Sequence, residues 1–343
     1  LRRTSARLFA ALLIPFIAVA PAATAAPRAE TPASAEAILG WINQYRHKRE
    51  PHRVPQVIRQ AGQAGALKDP EQAGVYVGFL AGVLNSDPAR ADQMIAKILP
   101  LPPEQQWAVV RAIAYSGLPK WKALLSAYKM HMPGRQPMID KYLAGKLPTL
   151  EQIAYKKDEP SAFAKLFRKK DEPKEARLEP TPDLIDTLWG FYFAAGDFAP
   201  IGRIVAMLPW SKEIDDVERL TLGGMAKFTL ASNAARDHEL LKMLKWTAKN
   251  QDKDTTKILA EVIDAAETME FAKIRKEALA AIEELKRKGP GSRRKLAGWG
   301  QVGQGAIALG CIGAAVAGAV ALGLPCVIGG AASSAVLNWA TQE

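Results

Sequence analysis

Cysteine is almost absent from this chain. Of 343 residues only Cys311 and Cys326 carry a thiol, so at most one disulfide can form within a molecule. The two either pair in an oxidising compartment or sit as small buried apolar residues. Histidine is nearly as scarce. His47, His52, His131 and His238 are scattered without a partner at metal-ligand spacing, and no H-E-x-x-H, P-loop or nucleophile-elbow string occurs. No catalytic, cofactor-binding or metal-binding residue is therefore assigned, and the chain reads as a non-enzyme. Runs that alternate apolar and polar residues, the mark of half-buried strands, are also missing. Charge is missing from one long stretch, because no Lys, Arg, Asp or Glu occurs between Lys295 and Glu343.

A composition of 48% hydrophobic and 24% charged residues is that of a folded protein, and the net charge of +11 favours acidic partners. The first residues have the three parts of a secretory signal: Arg2, Arg3 and Arg7, an apolar run from Leu8 to Ala20, then Pro21-Ala22-Ala23-Thr24-Ala25-Ala26. Cleavage after Ala25 makes 1–25 a signal peptide and predicts an exported, periplasmic protein. Arg2-Arg3 also permits a twin-arginine signal. With no Cys near the cut, no lipoprotein anchor is expected there.

From about Ser34 to Lys288 apolar residues recur at helical spacing, and the breaks come from Pro and Gly, so the body is expected to be all-α. Helix starts are expected at Asp69-Pro70-Glu71, Asp87-Pro88, Pro102-Pro103-Glu104 and Thr181-Pro182-Asp183, where a capping residue or a Pro opens each segment. The segments pair into hairpins. The first covers Pro70 to Leu84 and Pro88 to Leu99, and the second Pro103 to Ser116 and Pro119 to Met130. The third runs from Pro182 through Gly196-Asp197 to Pro209, and the fourth joins Asp215–Ala231 to His238–Lys249. Starts at Pro70 and Pro103 lie 33 residues apart, a period of helical solenoids. Trp107, Trp121, Trp189, Trp210 and Trp246 fall at apolar helix positions and are expected in the core, which argues against nucleic acid as a partner.

Within the third hairpin Trp189-Gly190, Tyr192, Ala194 and Ala195 form an aromatic and small-residue pattern that resembles the first helix of a tetratricopeptide-type repeat. The resemblance covers about 70 to 250 as a pattern of spacing and hairpins. It implies a curved helical stack that binds proteins or peptides.

Two stretches interrupt the pattern. Residues 145–181 are charged and Pro-rich and contain an exact repeat, Lys156-Lys157-Asp158-Glu159-Pro160 and Lys169-Lys170-Asp171-Glu172-Pro173, which reads as a linker or exposed excursion. Phe163, Leu166 and Phe167 between the copies could form one short docking helix. From Lys253 to Lys288 a long helix is expected, with Glu261, Asp264, Glu267 and Glu270 at intervals of three beside Lys257, Lys273 and Lys276. This is the pattern of an ion-paired surface rather than a carboxylate metal site. The parts are thus a signal peptide at 1–25, helical repeats at 26–144, the charged segment at 145–181, further repeats at 182–288, and a basic hinge with an apolar tail at 289–343.

That tail follows the basic cluster Lys286, Arg287, Lys288, Arg293, Arg294 and Lys295. Val302 to Gly323 is 22 residues, enough at about 1.5 Å per residue to cross a hydrocarbon core of roughly 30 Å. Leu324-Pro325 breaks it, and Cys326 to Trp339 continues, which suggests a Gly/Ala-rich helical hairpin. Small residues repeat every fourth position, in the ladders Ala306, Gly310, Ala314, Gly318 and Cys311, Ala315, Ala319, Gly323, a spacing that lets helix backbones approach. The hairpin is expected to meet the membrane or anionic lipid, to self-associate, or to pack on the body. Gly298, Gly300 and Gly303 satisfy a G-x-G-x-x-G string but lack the preceding strand that nucleotide binding needs.

The functional expectation is an exported helical scaffold that binds a protein or peptide and docks through its tail. A self-assembling, membrane-inserting protein is the alternative. An envelope glycan enzyme is a third reading, carried by Glu213 and Glu218 beside Asp215, Asp216 and Trp210, where a helix N-terminus rich in acids fits better.

Overall fold

The computed structural model describes residues 34–155 and 176–269, together with Lys276 and Ala280. Among the described residues the protein is all-α, with no strand. The first stretch holds α1 Ala35–Gln44, α2 Val54–Gln63, α3 Gly74–Ser86, α4 Ala91–Ile98, α5 Trp107–Tyr115, α6 Trp121–Ala127 and α7 Gln136–Leu143. The second holds α8 Pro182–Ala195, α9 Ala199–Val205, α10 Val217–Ala234, α11 His238–Ala248 and α12 Lys253–Thr268. Each of the four expected helix pairs is present as two consecutive helices. The expected signal peptide, the exact charged repeat, the G-x-G-x-x-G string, the basic cluster, both cysteines and the small-residue ladders lie outside the described residues.

Several helix starts follow directly from local chemistry. Side-chain oxygens of Ser34, Thr181, Asp216, Asp237 and Asp252 accept from backbone N–H groups two or three residues on, supplying acceptors that the first helical turn lacks. Gly196 ends α8 in the left-handed conformation at φ 72°, where glycine carries no Cβ penalty.

Two helices are buried nearly all round, Gly74 to Leu84 in α3 and Leu184 to Ala194 in α8, and these form the centre. They touch backbone to backbone. A Cβ built on Gly78 would lie 1.8 Å from the Thr187 carbonyl oxygen, one on Gly74 2.2 Å from that of Asp183, and one on Gly82 2.6 Å from that of Phe191. Because the partners rise together along both helices, α3 and α8 run parallel. Gly190 closes the contact from the other side, 2.1 Å from the Val75 carbonyl oxygen by the same construction. Only glycine permits this approach.

The amphipathic helices surround this pair. Helix α5 packs on α3, α1 and α9 pack on α8, α2 packs on α4, and α10 lies against α12 and the turn of 3-10 helix at Leu208–Lys212. One continuous core results, from Ile38 to Ala266. A polar tie crosses it: Arg46, just past α1, pairs with Asp237 at the head of α11, while the Tyr192 hydroxyl of α8 donates to Asp237 at 2.6 Å. The Arg46 guanidinium lies 5.0 Å from the Tyr192 ring centroid.

Four expectations need correction. Asp69 does not open a helix, because its carboxylate accepts from Glu71 N at 2.9 Å and from the Gln72 amide at 2.8 Å in a local turn, so α3 begins only at Gly74. Asp87-Pro88 and Pro102-Pro103 open single turns of 3-10 helix at Pro88–Arg90 and Pro103–Gln105 before α4 and α5. The helical stretch expected from Lys253 to Lys288 is broken at Met269, which is left-handed at φ 56°, so α12 ends at Thr268, while Lys276 and Ala280 beyond it are again helical. Trp246 is not core: it is 63% exposed, whereas Trp107, Trp189 and Trp210 are buried and Trp121 is half-buried against the core.

The charged segment departs and returns at one place. Ile153 and Leu178 form a parallel bridge, with Ala154 N donating to Leu178 O and Leu178 N to Gln152 O, each at 2.9 Å. Helices from both sides of it share the α3 and α8 centre.

Candidate functional site

A cluster of ionisable groups lies where α5, α7 and the first turn of α8 converge. Arg111 and Tyr115 come from α5, Tyr142 from α7 and Asp183 from α8. Arg111 Nη1 lies 3.8 Å from Asp183 Oδ2, and its guanidinium also stacks 4.8 Å from the Trp107 ring centroid. The Trp107 indole donates to Leu67 O at 3.1 Å, which fixes the ring under the guanidinium. Trp121 meets Tyr142 edge-on, with centroids 6.4 Å apart.

Arg111, Tyr115 and Asp183 line a cleft of about 320 Å³, completed by Pro70, Glu71, Leu178, Glu179, Thr181, Leu184 and Thr187. A second cavity of about 210 Å³ shares the Tyr115 wall and carries Asn85, Glu151, Asp197 and Arg203. The Ile153 and Leu178 bridge holds the 178–181 strip at the mouth of the first. Glu71, Glu179 and Asp183 line the cleft with the single guanidinium of Arg111, so a chain of strongly positive net charge carries a locally acidic cleft.

Burial pushes the Asp183 carboxyl up to about 7, with Arg111 opposing and Glu71 and Asp69 adding to the rise. The carboxyl therefore changes charge near neutrality. Burial also raises Tyr115, further aided by Tyr142, and raises Tyr142 against the pull of Arg111 and Tyr115, so both phenols stay protonated. As pH rises through 7 the cleft gains negative charge and becomes a better seat for a cation.

The residues singled out from the sequence are placed as follows. Glu213 accepts from Arg219 at 3.1 Å, Asp216 caps α10, and Arg219 lies 5.0 Å from the Trp210 ring centroid. Glu218 and Asp216 face a cavity of only about 70 Å³. Glu261 accepts from Lys227 of α10 at 2.5 Å, and Glu267 pairs with Lys245 of α11, so these carboxylates serve contacts between helices. Among the described residues no group of three His, Cys, Asp or Glu side chains could hold a metal ion. No described helix is long and apolar enough to cross a membrane.

Sequence reading missed the cleft. Asp183 was legible as a helix-start acid, but Glu71, Arg111, Tyr115 and Glu179 have no shared spacing, and only the meeting of α5 with α8 across α3 assembles them. No protein-family model, curated protein or solved structure matches the chain.

Proposed function

We propose that the protein is an exported helical scaffold whose hairpin body binds a peptide segment of a partner, seating a Lys or Arg of that segment in the Arg111 and Asp183 cleft. The observation that carries this reading is the charge of the cleft. Three carboxyl groups and one guanidinium in the lining favour a cationic guest, and Tyr115, Leu178 and Leu184 give the wall an apolar surface along which an extended side chain can lie. The second cavity beyond Tyr115 extends the surface to the length of a short peptide. In this reading the hairpins at solenoid spacing are the frame that presents the cleft, and the apolar tail of 296–343 docks the scaffold to membrane or partner.

A display selection of random peptides against the full chain tests the reading. Recovered peptides should share Lys or Arg, and E71Q/E179Q should weaken them about tenfold, equivalent to about 1.4 kcal/mol. A selection that yields no basic consensus, or binding unmoved by E71Q/E179Q, removes the proposal.

A further inference from the structure

Helix α11 presents a face to solvent that the body does not use. Its buried side is Leu240, Leu241, Leu244 and Thr247, and the opposite side carries Lys242, Lys245, Trp246 and Lys249. Spacing of three and four places Lys242 and Lys249 one turn before and one turn after Trp246, so the indole stands in a ring of ammonium groups. Trp246 is 63% exposed, and Met269, just past the end of α12, is equally so. The Lys245 contact with Glu267 brings the last turn of α12, and with it Met269, toward this face.

The charge of the face is unbalanced. Glu239, the acid of α11 at its edge, is taken by Arg46 at 2.9 Å, and Lys245 is taken by Glu267, while Lys242 and Lys249 form no ion pair with a described residue. An exposed indole costs solvation free energy in water, and its amphipathic ring is at its best at the level of lipid headgroups. Lysines beside it gain from an anionic surface.

We infer that the Lys242, Trp246 and Lys249 face of α11 is a peripheral docking surface for anionic lipid. It is a site on the folded body, separate from the peptide cleft, and it does not depend on the tail inserting. Charge complementarity selects the partner, and the aromatic count distinguishes it from nucleic acid: a single-strand platform stacks successive bases on several exposed rings in a groove, whereas here one indole stands on an outward helix face.

Flotation of the full chain with vesicles tests the inference, using equimolar phosphatidylcholine and phosphatidylglycerol against phosphatidylcholine alone. The wild type should float with the anionic vesicles, K242Q/K249Q should lower its partition coefficient on the order of tenfold, and W246A severalfold, with melting temperatures unchanged because all three side chains are exposed. Variants that float like the wild type would overturn the inference and assign any membrane contact to the tail. A wild type that floats with neither vesicle would overturn both the inference and tail docking, leaving the peptide cleft untouched. Trp246-dependent binding of an oligothymidylate without vesicle binding would reassign the face to nucleic acid and likewise overturn it.

Discussion

A single carboxyl shows how far context moves a residue from its sequence meaning. In Thr181-Pro182-Asp183 the Asp is an ordinary first-turn acid, favoured there by the helix dipole. In the folded protein, burial between α3 and α5 lifts its pKa from 3.8 to about 7. The folded state then holds a proton that the unfolded chain gives up, so this group's contribution is fully present below pH 3.8 and is lost as pH rises through 7. Chemical denaturation across that window should show stability falling by up to about 1.4 kcal/mol per pH unit from this site. D183N, which cannot ionise, should flatten the slope. A slope that D183N leaves unchanged would show that Asp183 is ionised throughout.

At the scale of elements, the decisive contact is between α3 and α8. Gly74, Gly78 and Gly82 recur every fourth residue, the same spacing as the small-residue ladders of the tail, yet in the body it was masked by the surrounding Val, Tyr, Phe and Leu. Adding one methyl at Gly78 would drive it into the Thr187 carbonyl, and neither backbone can yield without parting the central helices. G78A should therefore destabilise the protein by about 3 kcal/mol, the upper part of the range for overpacking, as read from the urea midpoint. Gly134 has nothing within 4 Å of a built Cβ, and G134A should stay within about 0.5 kcal/mol of the wild type. Equal effects at the two positions would mean that the helices can separate cheaply.

For the whole molecule, the consequence of that contact is cooperativity. The helices before and after the charged segment were separable on paper as 26–144 and 182–288, but their central members lie in one core that runs from Ile38 to Ala266. Neither α3 nor α8 can bury its surface without the other. Urea unfolding followed by hydrogen exchange should thus show α3 and α8 amides opening with one free energy in one transition. Two separated transitions would mean that the halves fold independently.

The helical class, the four pairs of helices, the Thr181 cap and the Gly196 turn were legible from sequence, because periodicity, Pro at the first turn and a Thr at the cap act within a few residues of one another. Asp216, Asp237 and Asp252 cap helices by the same local chemistry, although the sequence reading did not single them out. Where a local signal competed with another local use, as when Asp69 turned back on Glu71, the boundary moved. Tertiary structure alone decided which helices are central, that Trp246 faces water while Trp189 does not, and that Arg111, Tyr115 and Asp183 share a cleft. Those outcomes depend on contacts between residues up to about a hundred positions apart, and the burial and electric field that such contacts create have no trace in spacing along the chain.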